Sequence, residues 1–256
     1  MGEIDKKYYQ HNQEDVNEFM SYFLNAIYGE TSNKNLEIEK LEIDDIENMD
    51  KKAYENYYTK FNKRNGYSFM QDLFYGILRT ENNCKNCGNI TVKFSAYNML
   101  ELSIYELVNQ NESLTLDKIL KKYISEVKNE YLECIYCHKK EIYIKTSVYT
   151  SPKYLIIFFA RIIGDEYIYN NIDYPKTFNL KNYFNNIYKN NKYSNYILDC
   201  VIEHSGGVHY GHYTSLCQID KNKECWYRFN DNYSNKYNNH YQSKNAIILL
   251  YKSIDI

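Results

Sequence analysis

Apolar positions along the chain change their spacing from one region to the next. Between residues 12 and 29, Val16, Phe19, Met20, Phe23, Leu24 and Ile27 recur every three or four residues, which lays them on one face of a helix. Asn12 stands where a cap belongs and Gly29 where a helix ends. Residues 32–65 are strongly polar, with seven acids against one lysine between Glu37 and Asp50, and predict either an exposed pair of short helices or a mobile insertion. Over 73–104, and again over 132–148, apolar and polar residues alternate around Cys84-x-x-Cys87 and Cys134-x-x-Cys137, the pattern of hairpins that carry cysteines at their tips. A short helix over 114–124 lies between them, with Leu116, Ile119, Leu120 and Tyr123 as its apolar face. The second half reads as strand. The continuous apolar run at 154–163 suits a strand buried on both faces, and 196–202, 211–219, 225–229 and 246–251 follow with Gly- or Asn-rich turns between them. Together these elements make an α+β chain with a mainly antiparallel sheet.

A length of 256 residues suffices for a core that needs no disulfide staples. The balance of 31 basic against 33 acidic residues leaves a net charge of -2, so no global field draws the chain to nucleic acid or to an anionic membrane. Partners must be recognised locally. No run approaches the ~20 apolar residues of a membrane span, and the first ten residues lack the apolar stretch of a secretory signal. This predicts a soluble protein of the cytoplasm, the nucleus or both. Lys6 stands where an N-myristoylation signal wants Ser or Thr. The 31 tyrosines and the excess of Asn are what AT-rich codons produce, and the Asn-rich patches at 185–195 and 235–239 read as solvated loops.

Two Cys-x-x-Cys pairs, at Cys84 and Cys87 and at Cys134 and Cys137, supply four thiolates with the spacing of a tetrahedral zinc site. The alternatives are two free pairs of buried cysteines or a thioredoxin-like redox pair, but neither pair opens a helix after a strand. Four sulfurs leave no open coordination position, so such a zinc would hold the fold together and activate no water. The stretch 196–213 carries His204, His209 and His212 among glycines; its spacings match no common zinc pattern, and a lone histidine in a strand is more often structural. What draws His212 toward catalysis is the Asn230-Asp231 pair at the end of a nearby apolar strand, where a side-chain oxygen can orient an imidazole.

At these residues a resemblance enters. His204-x-Gly206, four residues, then Gly211-His212-Tyr213 resembles the histidine box of the ubiquitin-specific proteases, the papain-like cysteine deubiquitinases. Trp226-Tyr227-x-Phe229-Asn230-Asp231 looks like the same family's WYxF(D/N)D motif, and Gln13-x-Asp15-x-x-Glu18-Phe19 its QxDAxEF helix. The paired Cys-x-x-Cys motifs are similar to its zinc-binding fingers. Pro152-x-x-Leu155 through Arg161, Tyr174-Pro175 to Tyr183, and Ala246 to Tyr251 resemble further segments in the family's order, so the likeness covers residues 13–251. It implies one papain-like α+β domain: a partial thumb with the 12–29 helix, zinc-ribbon fingers over roughly 70–150 and an antiparallel palm sheet over roughly 151–256.

The resemblance also implies roles. His212 would move the proton, with Asn230, or else Asp231, orienting its ring; the substrate bond is the isopeptide after ubiquitin's terminal Gly-Gly. Asp15 would accept hydrogen bonds from the tail's backbone or arginines, Tyr213 would wall its slot, and Gly206, Gly207 and Gly211 suit close backbone approach. The partners implied are ubiquitin and ubiquitinated proteins. One departure is large. The family's nucleophile lies in an N-terminal box of the form GNTCYMNSxLQ, and only twelve residues, none of them cysteine, precede Gln13. Cys200, Cys217 and Cys225 fall in apolar strands and read as inert core thiols. Three expectations follow: part of an active deubiquitinase whose upstream segment is missing, a ubiquitin-binding pseudo-protease, or a zinc-stabilised scaffold. Retention of His212 with the Asn230-Asp231 pair favours the first.

Overall fold

The first helix begins later than its apolar face suggests. In a computed structural model, which describes residues 8, 14–33, 48–110, 113–184, 191–220, 225–237 and 241–255, helix α1 spans Val16–Thr31. Its cap is Asp15, whose Oδ1 accepts the Glu18 N–H at 3.0 Å. Asn12 and Gln13 lie outside the described residues. Gly29 does not end the helix, because Thr31 stays within it and donates its hydroxyl to the Ile27 carbonyl at 2.7 Å.

Of the polar stretch after α1, expected as an exposed pair of short helices or a mobile insertion, residues 34–47 lie outside the described residues, and the rest is neither exposed nor in short pieces. Asn48–Asn65 form a single helix, α2, docked by two contacts invisible in a local window. Tyr54 is buried against Phe94 and Tyr149. Asp50, also buried, takes the Arg79 guanidinium in two hydrogen bonds of 2.9 and 3.0 Å. A short helix α3 (Phe69–Phe74), capped by Ser68, leads into the sheets.

Strands β1 (Gly76–Cys84) and β2 (Ile90–Tyr97) form the first hairpin, with Cys87 in its turn. Then come β3 (Leu100–Ser103), α4 (Tyr105–Asn109), β4 (Leu114–Thr115), α5 (Leu116–Tyr123, capped by Thr115), β5 (Val127–Asn129) and β6 (Ile142–Thr150). The order β2-β1-β6-β5 makes an all-antiparallel four-stranded sheet with both cysteine turns at one end.

The apolar run at 154–163 is β7 (Tyr154–Ala160), followed by a small hairpin, β8 (Ile162–Ile163) and β9 (Glu166–Tyr167). After β10 (Ile172–Asp173) and β11 (Thr177–Asn179), the long strands β12 (Asn195–Gly206), β13 (Gly211–Asp220), β14 (Cys225–Asn230), β15 (Tyr233–Tyr237) and β16 (Ala246–Ser253) build the large sheet. Its order is β15-β14-β13-β12-β16-β7-β3, with β11 also paired to β12. Only β3 against β7 is parallel there. Residues 235–237, expected in a solvated loop, belong to the edge strand β15.

Side-chain alternation gives this sheet two buried faces. Val201, Leu216, Trp226 and Leu249 pack with α5 in the larger core. Ile156, Phe158 and Ile248 turn the other way, onto Leu24 and Tyr28 of α1, with Ile202 and Tyr213 against the same cluster. The N-terminus of α1 is thereby held against the β12–β13 hairpin. Among the described residues no helix is long and apolar enough to cross a membrane.

Candidate active site

The hairpin β12–β13 closes through residues 207–210, and two of its glycines, Gly206 and Gly211, are needed by the hairpin itself. Gly206 has φ of 150°, and a Cβ there would lie 2.3 Å from both the Gly211 Cα and the Tyr210 carbonyl oxygen. A Cβ on Gly211 would lie 2.0 Å from His204 Nε2. Gly211 thus makes room for a buried imidazole, and the next residue, His212, comes off the start of β13.

His212 Nε2 lies 2.6 Å from Asn230 Oδ1 and 3.7 Å from Asp231 Oδ2. With the amide oxygen as acceptor, Nε2 carries the proton and Nδ1 is left as the basic nitrogen. Nδ1 takes no partner among the described residues, and His212 is about half exposed, at 49%. Asn230 ends β14 and pairs with Tyr233 across a two-residue turn. Asp231 is the first turn residue, with φ of 49°, a conformation that Asp tolerates better than most side chains. Its place near the imidazole is therefore partly a matter of turn geometry, whereas Asn230 makes the direct bond.

A groove of about 420 Å³ runs between α1 and the β12–β13 hairpin, lined by Glu14, Asp15, Glu18, His204, Gly207 and Tyr213 among others. Asp15 and Tyr213, assigned to substrate from the sequence, meet here. The Tyr213 ring packs against His204 in a tilted arrangement with centroids 4.7 Å apart, and its hydroxyl is pushed above its ordinary value by burial and by the Asp15 carboxylate, against the opposing pull of the Val16 N–H. His204 Nδ1 is buried without a hydrogen-bond partner, and burial holds its imidazole below the ordinary value. Glu14, Asp15 and Glu18 give the wall at the start of α1 three carboxylates, and the buried Arg161 lines the same groove.

At the far end of the four-stranded sheet, Cys84, Cys87, Cys134 and Cys137 bring their Sγ atoms within 4.8 Å of one another. The Cys84–Cys137 and Cys87–Cys134 separations are both 3.6 Å, close to the ~3.8 Å edge of a tetrahedron with ~2.3 Å zinc–sulfur bonds. Both turns have one geometry: the Gly88 N–H returns to the Cys84 carbonyl at 2.8 Å, and the His138 N–H to the Cys134 carbonyl at 2.8 Å. Gly88 and His138 both take positive φ, 73° and 57°, which explains His138 as a turn residue. Asn89 donates to the Cys87 sulfur at 3.2 Å and brings that thiol down to about 6. Such donors suit a bound thiolate.

A family profile described as "Ubiquitin carboxyl-terminal hydrolase" matches residues 1–251. The chain belongs to this family. It is 33% identical, over 202 residues, to a probable ubiquitin carboxyl-terminal hydrolase of Acanthamoeba polyphaga mimivirus, covering 75% of this chain and 43% of that protein. Against ubiquitin carboxyl-terminal hydrolase Usp2 of Drosophila melanogaster it is 28% identical over 255 residues, which is 96% of this chain and 26% of the relative. Its fold is similar to that in the SAGA Ubp8/Sgf11/Sus1/Sgf73 DUB module bound to ubiquitin aldehyde, with a TM-score of 0.71 at 18% identity over 99% of this chain and 52% of that one. The chain thus spans less than half the length of the first two relatives and about half of the solved chain. The α+β ubiquitin-specific protease fold expected from the motifs is the fold observed.

Within this family fold, two buried arginine and glutamate sites escaped the sequence reading. Glu203 lies beneath the β12–β13 hairpin and accepts from Thr214 at 2.9 Å, Arg228 at 2.7 Å and the Ser243 hydroxyl. It ties β12 to β13 and β14 on the side from which His212 and Asn230 project. A charge at an inward position of an alternating strand was the available signal. Arg161, 1% exposed, donates to the carbonyls of Ala246, Ile168 and Asn170 at 2.8–2.9 Å, pinning the β8–β9 hairpin to the start of β16; burial lowers its pKa.

Three cysteines remain. Cys225 is buried, as expected, but Cys200 and Cys217 are only half-buried and touch each other. None is a partner for His212. Cys217 is five residues along β13 from His212, and Cys225 five along β14 from Asn230, spans of about 17 Å each.

Proposed function

We propose that this chain is the histidine-bearing part of a cysteine deubiquitinase that cleaves the isopeptide bond after ubiquitin's C-terminal Gly-Gly. The observation that carries the reading is the 2.6 Å contact between His212 Nε2 and Asn230 Oδ1, which leaves Nδ1 free to face a thiol. A thiol at that nitrogen gives up its proton to Nδ1, and the thiolate attacks the terminal glycine carbonyl. The imidazolium then protonates the departing lysine amine, and the resulting thioester is hydrolysed by water that the same imidazole activates. Asn230 holds the ring in register throughout, with Asp231 as a second acceptor.

The thiol is supplied from outside residues 1–256. In support, four of the seven cysteines gather in the finger cluster, and the other three lie in β12, β13 and β14 several residues along from the His212–Asn230 pair. The groove at Asp15, Gly207 and Tyr213 takes the ubiquitin tail: its carboxylates suit a basic peptide, and its small residues suit glycine. Zinc fits the four-cysteine cluster by donor type and spacing, and there it would fasten the two finger turns together.

Binding without catalysis is the second reading, favoured by the distance of every thiol in the chain from His212. One experiment separates them. The zinc-loaded chain is first incubated with ubiquitin bearing a C-terminal electrophile, and no adduct is expected. Addition of a family cysteine-box segment, joined in cis or supplied in trans, is expected to give hydrolysis of a ubiquitin–lysine conjugate. Tight ubiquitin binding with no turnover after a correctly assembled cysteine segment is added would establish the second reading, and an adduct on Cys200, Cys217 or Cys225 of the chain alone would overturn the assignment of the thiol.

A further inference from the structure

Cys200 on β12 and Cys217 on β13 stand directly opposite each other in the antiparallel register, with their Sγ atoms 3.0 Å apart. That is closer than the 3.6 Å between neighbouring thiols of the finger cluster, which a metal is suited to hold apart. Alternation along the two strands places both on the sheet face that Ile202 and Tyr213 present toward α1, away from the His212–Asn230 pair. Opposed residues of an antiparallel pair have Cα atoms about 4.5–5.5 Å apart, inside the roughly 4.4–6.8 Å over which a disulfide closes. The backbone also has slack beside each cysteine. The register against β16 slips between Leu198 and Cys200, and that against β14 slips between Gln218 and Asp220. Both residues are half-buried, while Cys225 is buried and no thiol lies against it.

We propose that Cys200 and Cys217 form a reversible dithiol–disulfide pair, a modification site for hydrogen peroxide or a similar two-electron oxidant, which fastens together the two strands that present His204 and His212. Cys217 is the attacking sulfur. The adjacent Cys200 thiol and, further off at 3.9 Å, Ser215 bring the Cys217 thiol below its ordinary value, while Cys200 is pushed up by its contact with Cys217 and by burial. The Cys217 thiolate attacks one peroxide oxygen; a sulfur–oxygen bond forms, the oxygen–oxygen bond breaks, and the leaving hydroxide takes up a proton to become water. The sulfenic acid left on Cys217 is then attacked by the Cys200 sulfur. The sulfur–sulfur bond forms as the sulfur–oxygen bond breaks, and the hydroxyl departs with the Cys200 proton as a second water. Two thiols are oxidised by two electrons, and one peroxide is reduced to two waters.

The test uses the full zinc-loaded chain treated with a few equivalents of hydrogen peroxide, then alkylated, digested and mapped by mass spectrometry. The expected product is a pair of peptides joined through Cys200 and Cys217 in most of the chains, separated again by dithiothreitol, with Cys225 still alkylated. This readout needs no variant. In Cys200→Ala, where the resolving thiol is gone, sulfenic acid trapped by dimedone on Cys217 is expected to rise several-fold over the parent. Full alkylation of both residues after peroxide would overturn the proposal. So would over-oxidation of Cys217 to the same extent in parent and Cys200→Ala, or a Cys217 crosslink to any other cysteine.

Discussion

Replacing Asp50 with alanine strands the Arg79 guanidinium. Arg79 is 7% exposed, and two of its three anchoring bonds, from Nε at 2.9 Å and Nη2 at 3.0 Å, end on the Asp50 carboxylate. Only Nη1 keeps a partner, Glu81, at 2.8 Å. Removing one member of a buried pair costs about 3–5 kcal/mol, because the survivor remains desolvated and uncompensated. With Glu81 still in place the lower end applies, ~3 kcal/mol. The double variant Asp50→Ala/Arg79→Met removes the stranded charge and is expected to recover all but ~1 kcal/mol. Urea unfolding at constant zinc measures this as a shift in midpoint with an unchanged slope. If α2 were a solvated helix in loose contact with the sheet, Asp50→Ala would fall within ~0.5 kcal/mol of the parent, and that result would refute the docking of α2 through this pair.

Three further outcomes are expected. Elemental analysis should find one zinc per chain, and Cys84→Ser should lose it together with the chemical-shift dispersion of the finger residues; a variant that keeps both excludes the cluster as a metal site. His204, whose pKa is depressed by burial, takes up its proton in the unfolded chain first, near pH 6.5, so its contribution to stability is complete above that pH and declines as pH falls below it. His204→Phe should therefore lose less stability than the parent between about pH 7 and 5.5, and parallel losses would contradict the assignment. Gly211→Ala, whose Cβ would collide with the His204 ring at 2.0 Å, should cost ~1–3 kcal/mol, while Gly207→Ala, facing the movable Tyr210 ring at 3.3 Å, should cost under ~0.5 kcal/mol by the same denaturation assay.

Periodicity located α1, α5 and the long strands because each buries a continuous stripe that its own sequence encodes. What it missed was set by partners far away in the chain. The acidic stretch offered no hint that Asp50 would meet Arg79, 29 residues on, or that Tyr54 would bury itself between two strands. The helix start was more legible than the reading made of it, since Asp15-x-x-Glu18 carries the spacing of a capping box, a stronger signal than Asn12 alone. At the candidate site, the resemblance singled out His212 and Asn230 and the Cys-x-x-Cys spacing the four cysteines, and the structure brings each set together, because motifs keep their order along the chain where their partners do not. The glycines were read as room for substrate, and the geometry gives Gly206 and Gly211 a reason internal to the hairpin. Glu203 was overlooked because its partners Thr214, Arg228 and Ser243 come from three other segments.

Catalysis through His212 is tested most directly by turnover of a ubiquitin–lysine conjugate, with the chain assembled with a family cysteine-box segment and folding verified by zinc content. His212→Ala is expected to lower turnover at least ~100-fold, since in the proposed mechanism the imidazole carries the proton in both halves of the reaction. Asn230→Ala should lose less, because Asp231 lies 3.7 Å from the same nitrogen and takes over part of the orientation, and Asn230→Asp should be tolerated. Near-parental turnover by a correctly folded, zinc-loaded His212→Ala assembly would contradict the account.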